Sequence, residues 1–135
     1  MGTHAMIGTW NETTGEVTAS YVHYDGYIEG VGRTLVSVYN NFLDANLVAT
    51  AGYFSSLDVD FVKSREESVH NDPPVIFESV NDYIENGTEY AGADYLYLWD
   101  GESWFVSRRV YGAPNTPFEE VEMNLRVGVA ATETV

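Results

Sequence analysis

The sequence contains no cysteine and, from Glu66 to Ser107, neither a lysine nor an arginine. The first absence removes disulfides, thiolate metal ligands and thiol nucleophiles together, and suits a reducing compartment. The second leaves Glu66, Glu67, Asp72, Glu78, Asp82, Glu85, Glu89, Asp94, Asp100 and Glu102 without a cation in their own stretch. Lysine is scarce throughout: Lys63 is the single example, and six basic residues face 21 acidic ones, for a formal net charge of −15. Charge of that density keeps a surface soluble while repelling itself in the compact state. No apolar run approaches the roughly 20 residues of a membrane span, so a soluble, cytosolic protein without a membrane partner is expected.

What is present argues for folding. An apolar share of 44% and an aromatic share of 14%, with ten tyrosines and three tryptophans in 135 residues, is enough for one hydrophobic core and too much for a disordered acidic chain. The expected fold class is α+β: a small single domain over residues 6–127, with an antiparallel sheet packed against one main helix. Met6 follows the short start Met1-Gly-Thr-His-Ala, so residues 1–5 are a candidate appended scar and His4 is discounted. Residues 128–135 read as a frayed tail.

The run Glu16 to Tyr24 is rich in β-branched and aromatic residues and ends at Asp25-Gly26, which predicts a strand and a turn. Val31, Leu35, Val38, Phe42 and Ala45, widened by Leu43 and Leu47, recur at spacings of three and four, which predicts an amphipathic helix over Gly32–Asn46 with Gly52 as its stop. Glu29 then sits at the positive end of that helix dipole. Asp58 to Pro74 shows no sustained period and reads as a long surface loop, a length that is uncommon unless functional or mobile. A short helix is expected from Ser79 to Glu85, with Val80, Tyr83 and Ile84 on one face and Gly87 closing it. Asp94 to Arg109 places two aromatic runs around Asp100-Gly101 and predicts a β-hairpin, with Tyr95, Tyr97 and Trp99 on one face and Trp99 beside Trp104. Packing into the core is the favoured reading of that stripe, and an exposed aromatic surface the other. Phe118 to Val127 is left as a last short helix or strand.

Catalytic patterns are scarce. Gly26-Tyr-Ile-Glu-Gly-Val-Gly-Arg-Thr34 precedes a helix as a phosphate-binding loop does, but five residues rather than four separate Gly26 from Gly32. Arginine also stands where lysine is needed, and Glu29 would repel phosphate. A tight turn between strand and helix explains the glycines better. His23 and Asp25 are two apart, and His70 and Asp72 repeat the spacing, so four side chains invite a metal or acid–base reading. Hydrogen-bonded surface histidines are the simpler account. No cofactor, metal or catalytic residue is assigned, and an enzyme has little support.

The block His23-Tyr24-Asp25-Gly26-Tyr27 through Val31-Gly32, followed by Tyr39, by Gly52-Tyr-Phe-Ser-Ser-Leu57, and by Tyr95, Tyr97, Trp99 and Trp104, resembles a family of small, uncharacterised bacteriophage proteins. The likeness covers about Tyr21 to Val106, and the His23–Gly32 block is its most specific part. It implies phage origin, action in the cytoplasm of the infected bacterial host and a non-structural role, with no catalytic residue to carry over. Small acidic phage proteins of that kind look like inhibitors that occupy a basic groove on a host protein, some by imitating DNA.

Electrostatics gives that expectation a mechanism, since a nucleic-acid-binding protein attracts an ordered carboxylate array through the field and counterion release it uses for DNA. The expected partner is a host protein with a basic surface, with no direct nucleic-acid contact. The candidate face is Asp58, Asp60, Glu66, Glu67, Asp72, Glu78, Asp82, Glu85 and Glu89. The alternative is that the acidity is only solvation, as in marine or halophilic settings, with an unrelated small-ligand-binding or hydrolytic role. Acids gathered on one face favour the first reading. Acids spread evenly favour the second, and a deep pocket holding His23 and Asp25 would revive catalysis.

Overall fold

The computed structural model describes residues 3–125. Ala5–Trp10 (β1) and Val17–Val22 (β2) pair antiparallel, joined by a turn in which the Asn11 side chain accepts from the amides of Thr13 (2.9 Å) and Thr14 (3.3 Å). Asparagine closes turns in this way because its short side chain mimics a backbone carbonyl. The hairpin predicted around Asp100-Gly101 follows as Tyr95–Trp99 (β5) and Trp104–Arg108 (β6), with Tyr95 opposite Arg108 and Trp99 opposite Trp104. β1 and β5 run parallel as the central pair. Tyr53–Phe54 (β3) lies parallel to the C-terminal end of β2, Val75–Phe77 (β4) antiparallel to its N-terminal end, and Glu119–Glu120 (β7) beside β6. Within the described residues these seven strands form one open sheet, mostly antiparallel, and the fold is α+β.

Side chains alternate across the sheet, so each strand serves two cores. One face carries Ile7, Val22, Tyr97, Trp99, Trp104 and Val106 beneath Arg33–Val38 (α1), Phe42–Thr50 (α2) and the helical backbone at 121–125. The other carries Met6, Val17, Ala19, Leu96 and Leu98 beneath Tyr83 of Val80–Ala91 (α4). Gly8 in β1 makes the second core possible: a Cβ there would stand 2.8 Å from Val17 Cγ1 and 3.1 Å from the Tyr83 ring. The tyrosine stripe is core, with Tyr97 fully buried and Trp99 and Trp104 packed edge to face at 5.4 Å.

Four expectations change. The helix over Gly32–Asn46 is two helices preceded by a π-helical turn at Ile28–Gly32, because Tyr39 is pulled out of helical geometry. Its hydroxyl donates to Asp58 O (2.7 Å) and its carbonyl accepts from Trp104 Nε1 (3.0 Å), while Asn41 restarts the chain by capping the Asp44 amide at 3.0 Å. The stripe is accordingly rotated: Ala45, Val48 and Ala49 are buried, whereas Phe42, Leu43 and Leu47 face outward. The stretch 58–74 holds a short helix, Phe61–Glu66 (α3), capped by Asp60 through the Lys63 amide at 3.2 Å. The helix begun by Ser79 runs past Gly87, which is buried against Leu96, and ends at Gly92 in the left-handed conformation (φ +65°). Finally, residues 3–5, set aside as a candidate scar, are built in: Gly26 N donates to Thr3 O at 2.8 Å, and Ala5 opens β1. The expected segment at 118–127 resolves into β7 and the helical 121–125; residues 126 and 127 and the tail 128–135 lie outside the described residues.

Candidate functional site

The nine candidate carboxylates divide by what the fold asks of them. Asp58 accepts from the Asp60 amide (2.9 Å) and lies 3.7 Å from Lys63, Asp60 caps α3, and Asp82 accepts from the Glu78 amide (3.0 Å) and from Asn86 (2.8 Å) at the start of α4. These three stabilise local structure, as short acidic side chains do near helix starts. Glu66, Glu67, Asp72, Glu78, Glu85 and Glu89 are exposed, and among the described residues their side chains make no hydrogen bond or ion pair.

Nothing in helix energetics calls for the pair on α4. Glu85 and Glu89 stand one turn apart, where like charges destabilise a helix by about 0.2–0.5 kcal/mol. Glu85 lies mid-helix and Glu89 in the last turn, where the dipole disfavours an anion and no basic residue stands. Arg109 lines a groove with Glu85 and Glu89, its guanidinium over the Tyr111 ring, and other cations are engaged elsewhere. Arg33 pairs with Glu29 at 2.9 Å, and Lys63 faces Asp58. Arg65 donates to Tyr53 O (2.6 Å) and Asn71 Oδ1 (3.0 Å), its guanidinium 5.5 Å from the centre of the Phe54 ring.

The His23–Gly32 block proves to be a structural turn. Asp25 adopts a left-handed backbone (φ +60°) and its carbonyl accepts from Val31 N at 3.0 Å. Gly26 is pressed against the first strand, where a Cβ would stand 2.7 Å from Ala5 Cβ, and its carbonyl takes the buried Tyr97 hydroxyl at 2.7 Å. Gly32 is buried, and a Cβ there would meet Val121, Ile28 and Tyr97. Tyr24 and Tyr27 are exposed. Close approach, not a positive φ, distinguishes Gly26 and Gly32.

His23 and His70 do come together, but their aspartates do not. Both histidines line an open depression of about 480 Å³ with Tyr21, Tyr24, Tyr53, Ser55, Glu67 and Val69, while Asp25 and Asp72 are exposed elsewhere. β2 delivers Tyr21 and leads into His23, β3 delivers Tyr53, and the chain after α3 delivers Glu67 and His70. The rings touch in series: Tyr24 to His23 at 4.6 Å, His23 to Tyr21 at 6.0 Å, Tyr21 to Tyr53 at 5.8 Å and Tyr53 to His70 at 5.1 Å. His4 stacks behind His23 at 4.6 Å, so all three histidines of the chain share one neighbourhood.

His4 Nδ1 must carry a proton, since it bonds the His23 carbonyl at 2.7 Å and a carbonyl can only accept. Tyr21 Oη and His23 Nδ1 are 3.1 Å apart. Burial first, and the neighbouring Tyr53 phenol second, push the Tyr21 hydroxyl above its ordinary value, so it is neutral at physiological pH. Burial alone raises Tyr83 far more, and is the largest cause at Tyr97 and Tyr39 as well. Among the described residues no three histidine, aspartate or glutamate side chains are placed to hold a metal ion.

The depression opens on the face of the sheet that α4 covers, with Glu67 in its lining and Glu85 and Glu89 on α4, whereas Glu66 ends α3, whose Phe61 and Arg65 pack against Phe54 of the opposite core. Tyr21 shares the β2 face of Val17 and Ala19, which α4 covers. α4 thus roofs the end of β2 paired with β4, and the depression opens at the end paired with β3. The chain from Glu66 to Glu78 connects the two. Sequence reasoning left His4, Tyr21, Tyr53 and Ser55 out of the candidate site, although Tyr53 and Ser55 stand in the Gly52-Tyr-Phe-Ser-Ser-Leu57 block, and the repeated His-x-Asp spacing marked the two histidines with aspartates that do not join them. Compared with known proteins, the chain matches no family model, no curated protein and no solved structure.

Proposed function

We propose that the protein is an acidic binding module that engages a basic surface on another protein, and that it acts as a phage accessory protein inhibiting a host factor. The observation that carries this reading is the set of six exposed carboxylates, Glu66, Glu67, Asp72, Glu78, Glu85 and Glu89, in a stretch without a single base. Their charge is neither neutralised by an ion pair among the described residues nor called for by the helix that bears two of them. An uncompensated field of one sign accelerates encounter with an opposite surface and rejects like-charged partners, nucleic acid included. Where the partner's groove is one that binds DNA, occupation by this face excludes the DNA.

The test is capture of a partner from host lysate on the immobilised protein, followed by affinity measurement with the purified partner. Binding is expected to weaken about tenfold or more between low and physiological ionic strength, because exposed charges are screened beyond roughly 8 Å there. Glu66→Gln, Glu67→Gln, Asp72→Asn and Glu78→Gln together should reproduce that loss at low salt. A partner bound with equal strength at both ionic strengths, or equally by the neutralised variant, overturns the reading. DNA that competes with the protein for its partner identifies the groove as a nucleic-acid site.

A further inference from the structure

We propose that the depression between β2, β3 and the chain after α3 is the seat of an arginine side chain presented by the basic partner. The inference rests on the acidic-module reading and adds to it a specific anchor. Its walls are π faces and edges, Tyr21, Tyr24, Tyr53, His23 and His70 in an unbroken series of ring contacts, and Glu67 stands on its rim. Aromatic faces carry negative potential and attract cations placed within about 6 Å of the ring centre. A carboxylate beside such a ring supplies the forked acceptor that a guanidinium fits and an ammonium does not.

The surrounding field decides the sign of the ligand. A net charge of −15, with Glu66, Asp72 and Glu78 on the adjoining chain, repels phosphate and carboxylate groups from this opening and draws cations toward it. Polar groups of the lining hold their neighbours, the Tyr21 hydroxyl lying 3.1 Å from His23 Nδ1 and Ser55 Oγ accepting from the Val69 amide at 3.1 Å, and each hydroxyl oxygen keeps acceptor capacity for an incoming N–H. A volume of about 480 Å³ takes a guanidinium with its aliphatic stem.

The chain already holds guanidinium groups in this manner. Arg65 lies over Phe54 with its donors on Tyr53 O and Asn71, and Arg109 lies 5.1 Å from the centre of the Tyr111 ring. Arg65 donates to the backbone carbonyl of the lining residue Tyr53 and to Asn71 Oδ1, and among the described residues it makes no hydrogen bond to a side chain of the lining. The incoming guanidinium therefore stacks on rings that Arg65 does not cover.

The experiment uses the full chain with hexa-arginine and hexa-lysine peptides, equal in charge, titrated calorimetrically and by ring-proton NMR. The arginine peptide is expected to bind about tenfold more tightly, since guanidinium is planar and weakly hydrated where ammonium is not. Its titration should move the ring resonances of Tyr21, Tyr53 and His70. The double variant Tyr24→Ala, His70→Ala, altered only at exposed positions, should lower arginine-peptide affinity to the lysine-peptide level while leaving the latter within about twofold. Equal affinity of the two peptides for the wild type, or an arginine preference that survives in the double variant, overturns the anchor. In either case salt-sensitive binding of both peptides would leave the acidic-module reading standing. Conversely, if both peptides keep their full wild-type affinity in the Glu66→Gln, Asp72→Asn, Glu78→Gln variant while the arginine preference and ring shifts persist, the anchor stands and the electrostatic reading fails.

Discussion

The base-free stretch contains two regions that share a charge and nothing else. In the hairpin from Asp94 to Ser107 two of the three acids serve the chain, Asp100 accepting from the amides of Glu102 and Ser103, both at 2.9 Å, and Asp94 from the Tyr111 hydroxyl at 3.3 Å, while the Glu102 side chain is exposed. Around them the aromatic side chains fill the core. From Glu66 to Glu89 the relation is reversed, with Asp82 alone spent on local structure and the other carboxylates standing free among the described residues. Composition cannot tell turn chemistry from surface charge. Hydrogen-bond partners can: they tie Asp94 and Asp100 of the hairpin into local structure and leave most carboxylates of the 66–89 segment free for the recognition proposed above.

The largest effect expected from this division lies in the hairpin. Trp104 is 2% exposed, packs on Trp99 and donates from Nε1 to Tyr39 O across 65 residues of sequence. Trp104→Ala removes a large buried ring and leaves that carbonyl without its donor, for a loss of about 3–5 kcal/mol in denaturant unfolding. A smaller loss accompanies Tyr97→Phe, which keeps the ring and deletes the hydroxyl that holds Gly26 O at 2.7 Å. Desolvation of that carbonyl puts the change at about 1–3 kcal/mol. Neither substitution touches a free carboxylate, so the salt dependence of partner binding should be unchanged in any fraction that folds. A Tyr97→Phe protein as stable as the wild type would break the link between the His23–Gly32 turn and the hairpin.

The parts of the fold that could be read from sequence are those whose signals are local. Asp100-Gly101 between aromatic runs announces its hairpin, and β2 is marked by β-branched residues ending at Asp25-Gly26. β1 was hidden because both of its faces are buried, Ala5 and Ile7 on one side and Met6 and Gly8 on the other, so it shows no polar alternation. α3 was hidden because six residues are too few to establish a helical period. The break at Asn41 depends on contacts from Asp58 and Trp104, which no window around Tyr39 contains. The same holds for the depression: Tyr21, Tyr53 and His70 are adjacent only because β3 pairs with the end of β2. The acidic candidates were legible as a group, yet which were free and which were caps required the hydrogen bonds.

The smallest effect is also the most discriminating. Glu85→Gln with Glu89→Gln removes a like-charge pair one turn apart and an anion from the negative end of α4, which together should stabilise the fold by about 0.5 kcal/mol. Arg109 lines the same groove as these two glutamates, but it is not within ion-pair distance of either, and its guanidinium rests on Tyr111 instead. Loss of attraction to Arg109 is therefore expected to offset only part of the gain. Thermal unfolding should show a small rise in Tm, while affinity for a hexa-arginine or hexa-lysine peptide falls. Opposite signs in the two measurements separate a surface kept for a partner from one kept for the fold. If the pair instead lowers Tm by several degrees, the carboxylates on α4 belong with Asp94 and Asp100 as structural acids, and the contrast between the two regions fails at the helix.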